Sequence, residues 1–134
     1  MSQFIFILPH AFESGSSRKV NARALAALCD SLIGINLAFL ADYRVPALYN
    51  AGVRYARTEE WLTTPALYQL KYGDCKSLAC ARIAELRHGG HAASAVFRWA
   101  PHPTKHLVYH ILVQTEKGYE DPSKILGMDS KAFY

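Results

Sequence analysis

Cysteine is scarce in this sequence and odd in number: Cys29, Cys75 and Cys80 are the only three. An odd set argues against a disulfide framework. Cys75 and Cys80 stand five apart on an expected helix, rotated by roughly 140°, and point away from each other. Reduced thiols in an intracellular compartment are the simpler expectation. A dense basic run is also missing. The formal charge is only +4, and Arg18-Lys19, Arg54, Arg57, Lys71, Lys76, Arg82, Arg87 and Lys105 are scattered, so a mildly basic surface is expected and a nucleic-acid partner is not. The N-terminal stretch Met1–Pro9 has no basic segment and a short apolar run, which predicts an initial strand, neither a signal peptide nor a membrane span. There is no internal repeat, low-complexity tract or domain boundary. With 134 residues, 51% of them hydrophobic, the chain suits one folded domain over 1–134 with one real core.

The helical signals come first. Ser14–Ser17 offers N-caps, and Val20, Ala24, Leu25, Leu28 and Leu32 recur at helical spacing, predicting a helix over about 17–32 ended near Gly34. Leu37 to Tyr43 suggests a second helix, stopped before Pro46. Leu48 to Trp61 mixes aromatic and charged residues and stays unassigned. Thr63-Thr64-Pro65 starts a short helix through Leu70. The clearest element begins at Cys75, where Leu78, Ala79, Arg82, Ile83 and Leu86 share its side and Gly89-Gly90 stops it. Ala93 to Trp99 then reads as a strand, Pro101-His102-Pro103 as a break, and His106 to Asp121 as a β-hairpin turning at Glu116-Lys117. This order predicts an α+β fold, with N-terminal helices and a central helix starting at the cysteine, packed on a small antiparallel sheet.

Gly73-Asp74-Cys75-Lys76-Ser77-Leu78-Ala79-Cys80 is the densest functional signal. Asp74 is expected to cap the helix. Cys75 then faces free backbone N–H groups and the positive end of the helix dipole, an address that favours thiolate. Cys29 and Cys80 read as packing residues. The hairpin supplies a base and an acid. With the turn at Glu116-Lys117, Thr115 faces Gly118, Gln114 faces Tyr119, Val113 faces Glu120 and Leu112 faces Asp121. His106, His110, Leu112 and Asp121 then share one face, and Glu120 lies on the other. His110 is diagonal to Asp121, whereas His106 lies four residues further off, so His110 with Asp121 is preferred. Cys75, His110 and Asp121 can serve as nucleophile, base and orienting carboxylate. A zinc site on His106, His110, Cys75 and Cys80 is disfavoured, because residues i and i+4 of a strand lie roughly 13 Å apart. Neither a metal nor a cofactor is expected.

On these residues the sequence resembles the transglutaminase-like superfamily, a branch of the papain-type thiol fold. Gly73-Asp74-Cys75 is similar to its nucleophile motif, and the His110 strand and Tyr119-Glu120-Asp121-Pro122-Ser123 are similar to its histidine and aspartate strands. The order of parts over roughly 48–128, with Asn50–Tyr55, Trp61 and Leu126-Gly127-Met128, is similar to small phage and prophage members. Two positions depart from the common pattern: Lys76 stands where many members carry a second acid, and Ile111 where many carry an aromatic. The resemblance implies a cysteine peptidase, amidase or transglutaminase-like hydrolase or acyltransferase acting on a peptide, protein or peptidoglycan-type amide. It also implies an oxyanion donor upstream, with Gln69, six residues before Cys75, and Tyr72 as the candidates. The competing expectation is a non-catalytic phage structural or assembly module on the same scaffold, with phage structural proteins as partners. Location would be cytoplasmic or virion-associated, without a membrane.

Overall fold

The computed structural model describes residues 18–100 and 108–129. The expected initial strand, the Ser14–Ser17 cap, the Pro101–Pro103 break and His106 lie outside the described residues. The fold is α+β, and its described elements start with one long helix, α1 (Arg18–Asp42). Two helices were expected here, so this is a correction. Gly34 is exposed and in open space, and a glycine inside a helix costs only about 1 kcal/mol. Buried contacts on both sides of it outweigh that cost: Leu25, Cys29, Leu32 and Ile33 pack inward, and so does Asn36, whose Oδ1 accepts the Thr64 N–H at 2.8 Å. By length and composition Ala22–Asp42 would suffice to cross a membrane. Within it Leu25, Cys29, Leu32, Ile33 and Asn36 are buried against the rest of the fold.

The unassigned stretch forms a 3₁₀ turn (Leu48–Asn50) and β1 (Arg54–Tyr55). β1 pairs in parallel with β2 (Tyr72–Gly73), which follows α2 (Thr64–Leu70). α2 starts as expected: Thr63 caps it by accepting the Ala66 N–H at 3.4 Å, and Pro65 sits in the first turn. Gly73 is required by close approach, since a Cβ there would meet Leu67 Cδ2 at 2.3 Å.

α3 (Cys75–His88) is the centre of the molecule. It separates two apolar clusters. Cys75, Ala79, Cys80 and Ile83 join α1 and the strand residues Ile111 and Val113, whereas Leu78 and Ala81 join Leu48, Val53, Leu62, Leu67 and Leu126. Small residues let neighbours approach from both sides. Lys76, expected on the surface, is instead only 3% exposed.

β3 (Ala93–Ala100), β4 (Val108–Thr115) and β5 (Gly118–Glu120) form an antiparallel sheet in the order β3-β4-β5. The hairpin register is the expected one: Thr115 pairs with Gly118, Gln114 with Tyr119 and Val113 with Glu120. Asp121 leaves the ladder and caps the short α4 (Pro122–Ile125), its Oδ1 accepting the Lys124 N–H at 3.3 Å.

Candidate active site

Glu120, the last residue of β5, and Asp121, the residue after it, go to different partners. Glu120 forms a two-pronged ion pair with Arg82 of α3, at 2.6 Å to Nε and 3.2 Å to Nη2, and also accepts from the Tyr49 hydroxyl. Arg82 reaches Glu85 at 2.8 Å, and Glu85 in turn accepts the Leu48 N–H at 2.9 Å. Burial acts to raise the Glu120 carboxyl, but the hydrogen bonds from Arg82 and Tyr49, together with the Arg82 charge, outweigh it and hold the group below the usual carboxylate range. Glu120 is thus an anchor between α3, the 3₁₀ turn and the sheet.

Asp121 turns the other way. Its Oδ2 accepts from His110 Nε2 at 2.9 Å, with the imidazole side chain only 2% exposed. A carboxylate is acceptor-only, so the proton on this bond sits on Nε2, which fixes the tautomer of a neutral ring.

Cys75 packs against the same strand, in one apolar cluster with Ile111 and Val113. Residues 115 and 113 of β4 direct their backbone groups towards β5, and by alternation residue 111 does so too. β5 has ended by then, and the Ile111 N–H lies close enough to the Cys75 thiol to act against the rise in its pKa. The helix start that carries the thiol therefore lies against the residue next to His110.

The electrostatics of this thiol differ from the expectation drawn from its helix-tip address. Burial pushes Cys75 up to about 12, and the charge of Asp74 adds to the rise, with the Ile111 N–H and Lys76 opposing it. The residue is 9% exposed, and desolvation of a lone thiolate outweighs the favourable dipole. Asp74 has extended backbone geometry at the N-cap position, but its carboxylate turns to the buried Lys76 ammonium. Burial raises the Asp74 carboxyl above its usual range, and Lys76 acts against that rise.

Comparison with protein families, curated proteins and solved structures gives no match for this chain.

Of the two oxyanion candidates, Gln69 is exposed in the last turn of α2 and Tyr72 is half-buried in β2. Cys29 and Cys80 are packing residues as expected, with the Cys80 thiol 3.8 Å from the Cys29 carbonyl oxygen. Three aromatics around Cys75 escaped selection as site residues. The Tyr55 phenol is raised by burial and by the charges of Cys75, Asp74 and Asp121. Tyr109 is raised by burial, then by Cys75 and Asp74. Trp61 packs on the apolar cluster that contains Cys75. Alternation marks Tyr109 as facing opposite to His110, but no local sequence signal places Tyr55 or Trp61 beside a residue so distant in the chain.

Proposed function

We propose that this protein is a thiol-dependent acyl-transfer enzyme of the transglutaminase-like, papain-type kind. Cys75 is its nucleophile, His110 its base and Asp121 the group that orients the base. The acyl donor is a peptide, protein or peptidoglycan-type amide. The observation that carries this reading is the His110–Asp121 hydrogen bond, formed on the strand whose next residue, Ile111, packs in one cluster with Cys75.

Asp121 engages Nε2, which assigns the proton-accepting role to Nδ1. Transfer of the thiol proton to Nδ1 makes a thiolate–imidazolium pair. Such a pair is less costly to bury than the lone thiolate whose desolvation raises Cys75. Asp121 steadies the imidazolium. The thiolate attacks the amide carbonyl, and the oxyanion is held by the Cys75 N–H at the helix start and by a second donor, for which Gln69 and Tyr72 remain candidates. The imidazolium returns its proton to the departing amine, leaving a thioester. Water then gives hydrolysis, or an incoming amine gives transamidation, with His110 taking the proton of the attacking group.

The test is the pH profile of iodoacetamide alkylation at each cysteine, resolved by mass spectrometry. Acyl transfer predicts Cys75 reaction well below pH ~8.5, where a free thiol is largely protonated, and loss of that limb in His110→Ala. A Cys75 profile that ignores His110 would overturn the reading. One observation favours a second reading, a non-catalytic phage structural or assembly module: the thiol is buried and raised to about 12. In that case Cys75 reacts no faster than Cys29 and Cys80.

A further inference from the structure

Lys76, the second residue of α3, is 3% exposed. Lysine is almost never buried this deeply without partners, because its ammonium carries a large desolvation cost. Here several surround it. The ammonium pairs with the Asp74 carboxylate, donates to the Thr58 carbonyl at 2.9 Å and lies 5.7 Å from the Trp61 ring centroid. Ser77, fully buried, uses its hydroxyl on the same segment: it accepts the Leu62 N–H at 2.8 Å and donates to the Glu60 carbonyl at 3.4 Å.

Two consecutive side chains, immediately after the candidate nucleophile, thus clamp one strap of chain over 58–62. The strap has neither helix nor strand hydrogen bonds to hold it in place. What it carries is Trp61, half-buried on the cluster shared by Cys75 and Tyr109, and Glu59, whose charge acts on Tyr109. Neutralising Asp74 would require only the first of the Lys76 contacts. The bond to Thr58 and the parallel grip of Ser77 are directed at the strap.

We propose that Lys76 is a positioning residue of the Cys75 site. It holds the strap against the start of α3 and so fixes Trp61 as an aromatic wall beside the thiol, where the body of the acyl donor lies. This rests on the acyl-transfer reading and narrows its substrate class to donors with a flat or apolar group next to the reacting carbonyl.

The test uses the whole chain and two probes with one leaving group, 2-chloroacetamide and N-benzyl-2-chloroacetamide. Their rate ratio at Cys75 is compared with the ratio for glutathione. An aromatic wall predicts a ratio about five-fold above that of glutathione. Trp61→Ala and Lys76→Met should bring it to the glutathione value, and Lys76→Arg, which keeps a cation and a donor, should restore most of it. If circular dichroism shows that Lys76→Met is unfolded, the double variant Asp74→Asn/Lys76→Met, which leaves no lone buried charge, takes its place and should also lack the preference. Wild-type preference in that double variant would mean that Lys76 serves only to neutralise Asp74, and would overturn the proposal. So would a wild-type ratio equal to that of glutathione, or a Trp61→Ala variant that keeps the preference. The acyl-transfer reading fails separately, if the 2-chloroacetamide rate at Cys75 is indifferent to His110→Ala.

Discussion

Asp121 holds His110 with one carboxylate oxygen and caps α4 with the other. Oδ2 accepts from His110 Nε2 at 2.9 Å, and Oδ1 accepts the Lys124 N–H at 3.3 Å. The imidazole is therefore keyed to a helix start, and Pro122 behind the acid fixes where the chain turns.

The two duties separate on substitution. Asparagine caps a helix about as well as aspartate, and its amide oxygen can still accept from Nε2–H, but it cannot stabilise an imidazolium by charge. Asp121→Asn should leave thermal stability close to wild type while slowing His110-dependent alkylation of Cys75 by about 10²–10⁴-fold. Asp121→Ala should lose both, at a stability cost of about 1–3 kcal/mol from the missing cap and the lost hydrogen bond to His110 Nε2. Paired denaturation curves and alkylation rates distinguish the two variants.

Glu120 predicts an acid-side effect. Its carboxyl is lower in the folded protein than in the unfolded chain, because Arg82 and the Tyr49 hydroxyl together outweigh burial. The stability it contributes is present above the unfolded value of about 4.3 and is lost as pH falls through the folded one. Glu120→Gln should be less stable than wild type at pH 6, and the gap should narrow by pH 3. Urea midpoints at the two pH values measure it.

Cys75 predicts the opposite limb. Its thiol is raised to about 12 by burial, so its contribution is fully present below the unfolded value of about 8.5 and declines as pH climbs towards 12. If Cys75 is an inert packing residue, as in the second reading, Cys75→Ala should lose less stability than wild type between pH 8 and pH 11. An equal loss in both proteins would mean that the thiolate is paired inside the fold, with no net penalty for ionising it.

Much of this site was legible because a strand alternates with period two. With the turn at Glu116-Lys117, register alone puts His110 and Asp121 on one face and Glu120 on the other. The capping pattern at Thr63 and the glycine stop at Gly89 likewise gave α2 and α3 from local chemistry. What stayed hidden depended on contacts between remote segments. The parallel pair β1–β2 joins two-residue strands that have no periodicity to read. Lys76 reads as a surface lysine until the strap folds over it. The Cys75 thiol has a thiolate-favouring address in sequence, but its burial arises from α1 and β4 packing around it.

Gly34 illustrates how packing overrides a local stop signal. The residue is exposed on α1, and a Cβ there would meet nothing within 4 Å. Gly34→Ala should stabilise the protein by about 0.5–1 kcal/mol by removing backbone freedom from the unfolded chain. An unchanged or lowered melting temperature would contradict a continuous helix through this position.

Gly73 should respond in the opposite sense. It opens the Gly73-Asp74-Cys75 motif, and the space its Cβ would fill is held by Leu67 Cδ2, 2.3 Å away. Leu67 is fully buried in the second cluster and cannot swing into solvent. Gly73→Ala should therefore destabilise by about 1–3 kcal/mol through overpacking, and Leu67→Ala by about 2–5 kcal/mol through the cavity it leaves. In the double variant the added methyl meets space instead of a methyl, so the combined loss should fall short of the sum by about 1 kcal/mol or more. A double-mutant cycle by chemical denaturation measures that coupling. Strict additivity would show that glycine stands at 73 for a reason other than the approach of Leu67.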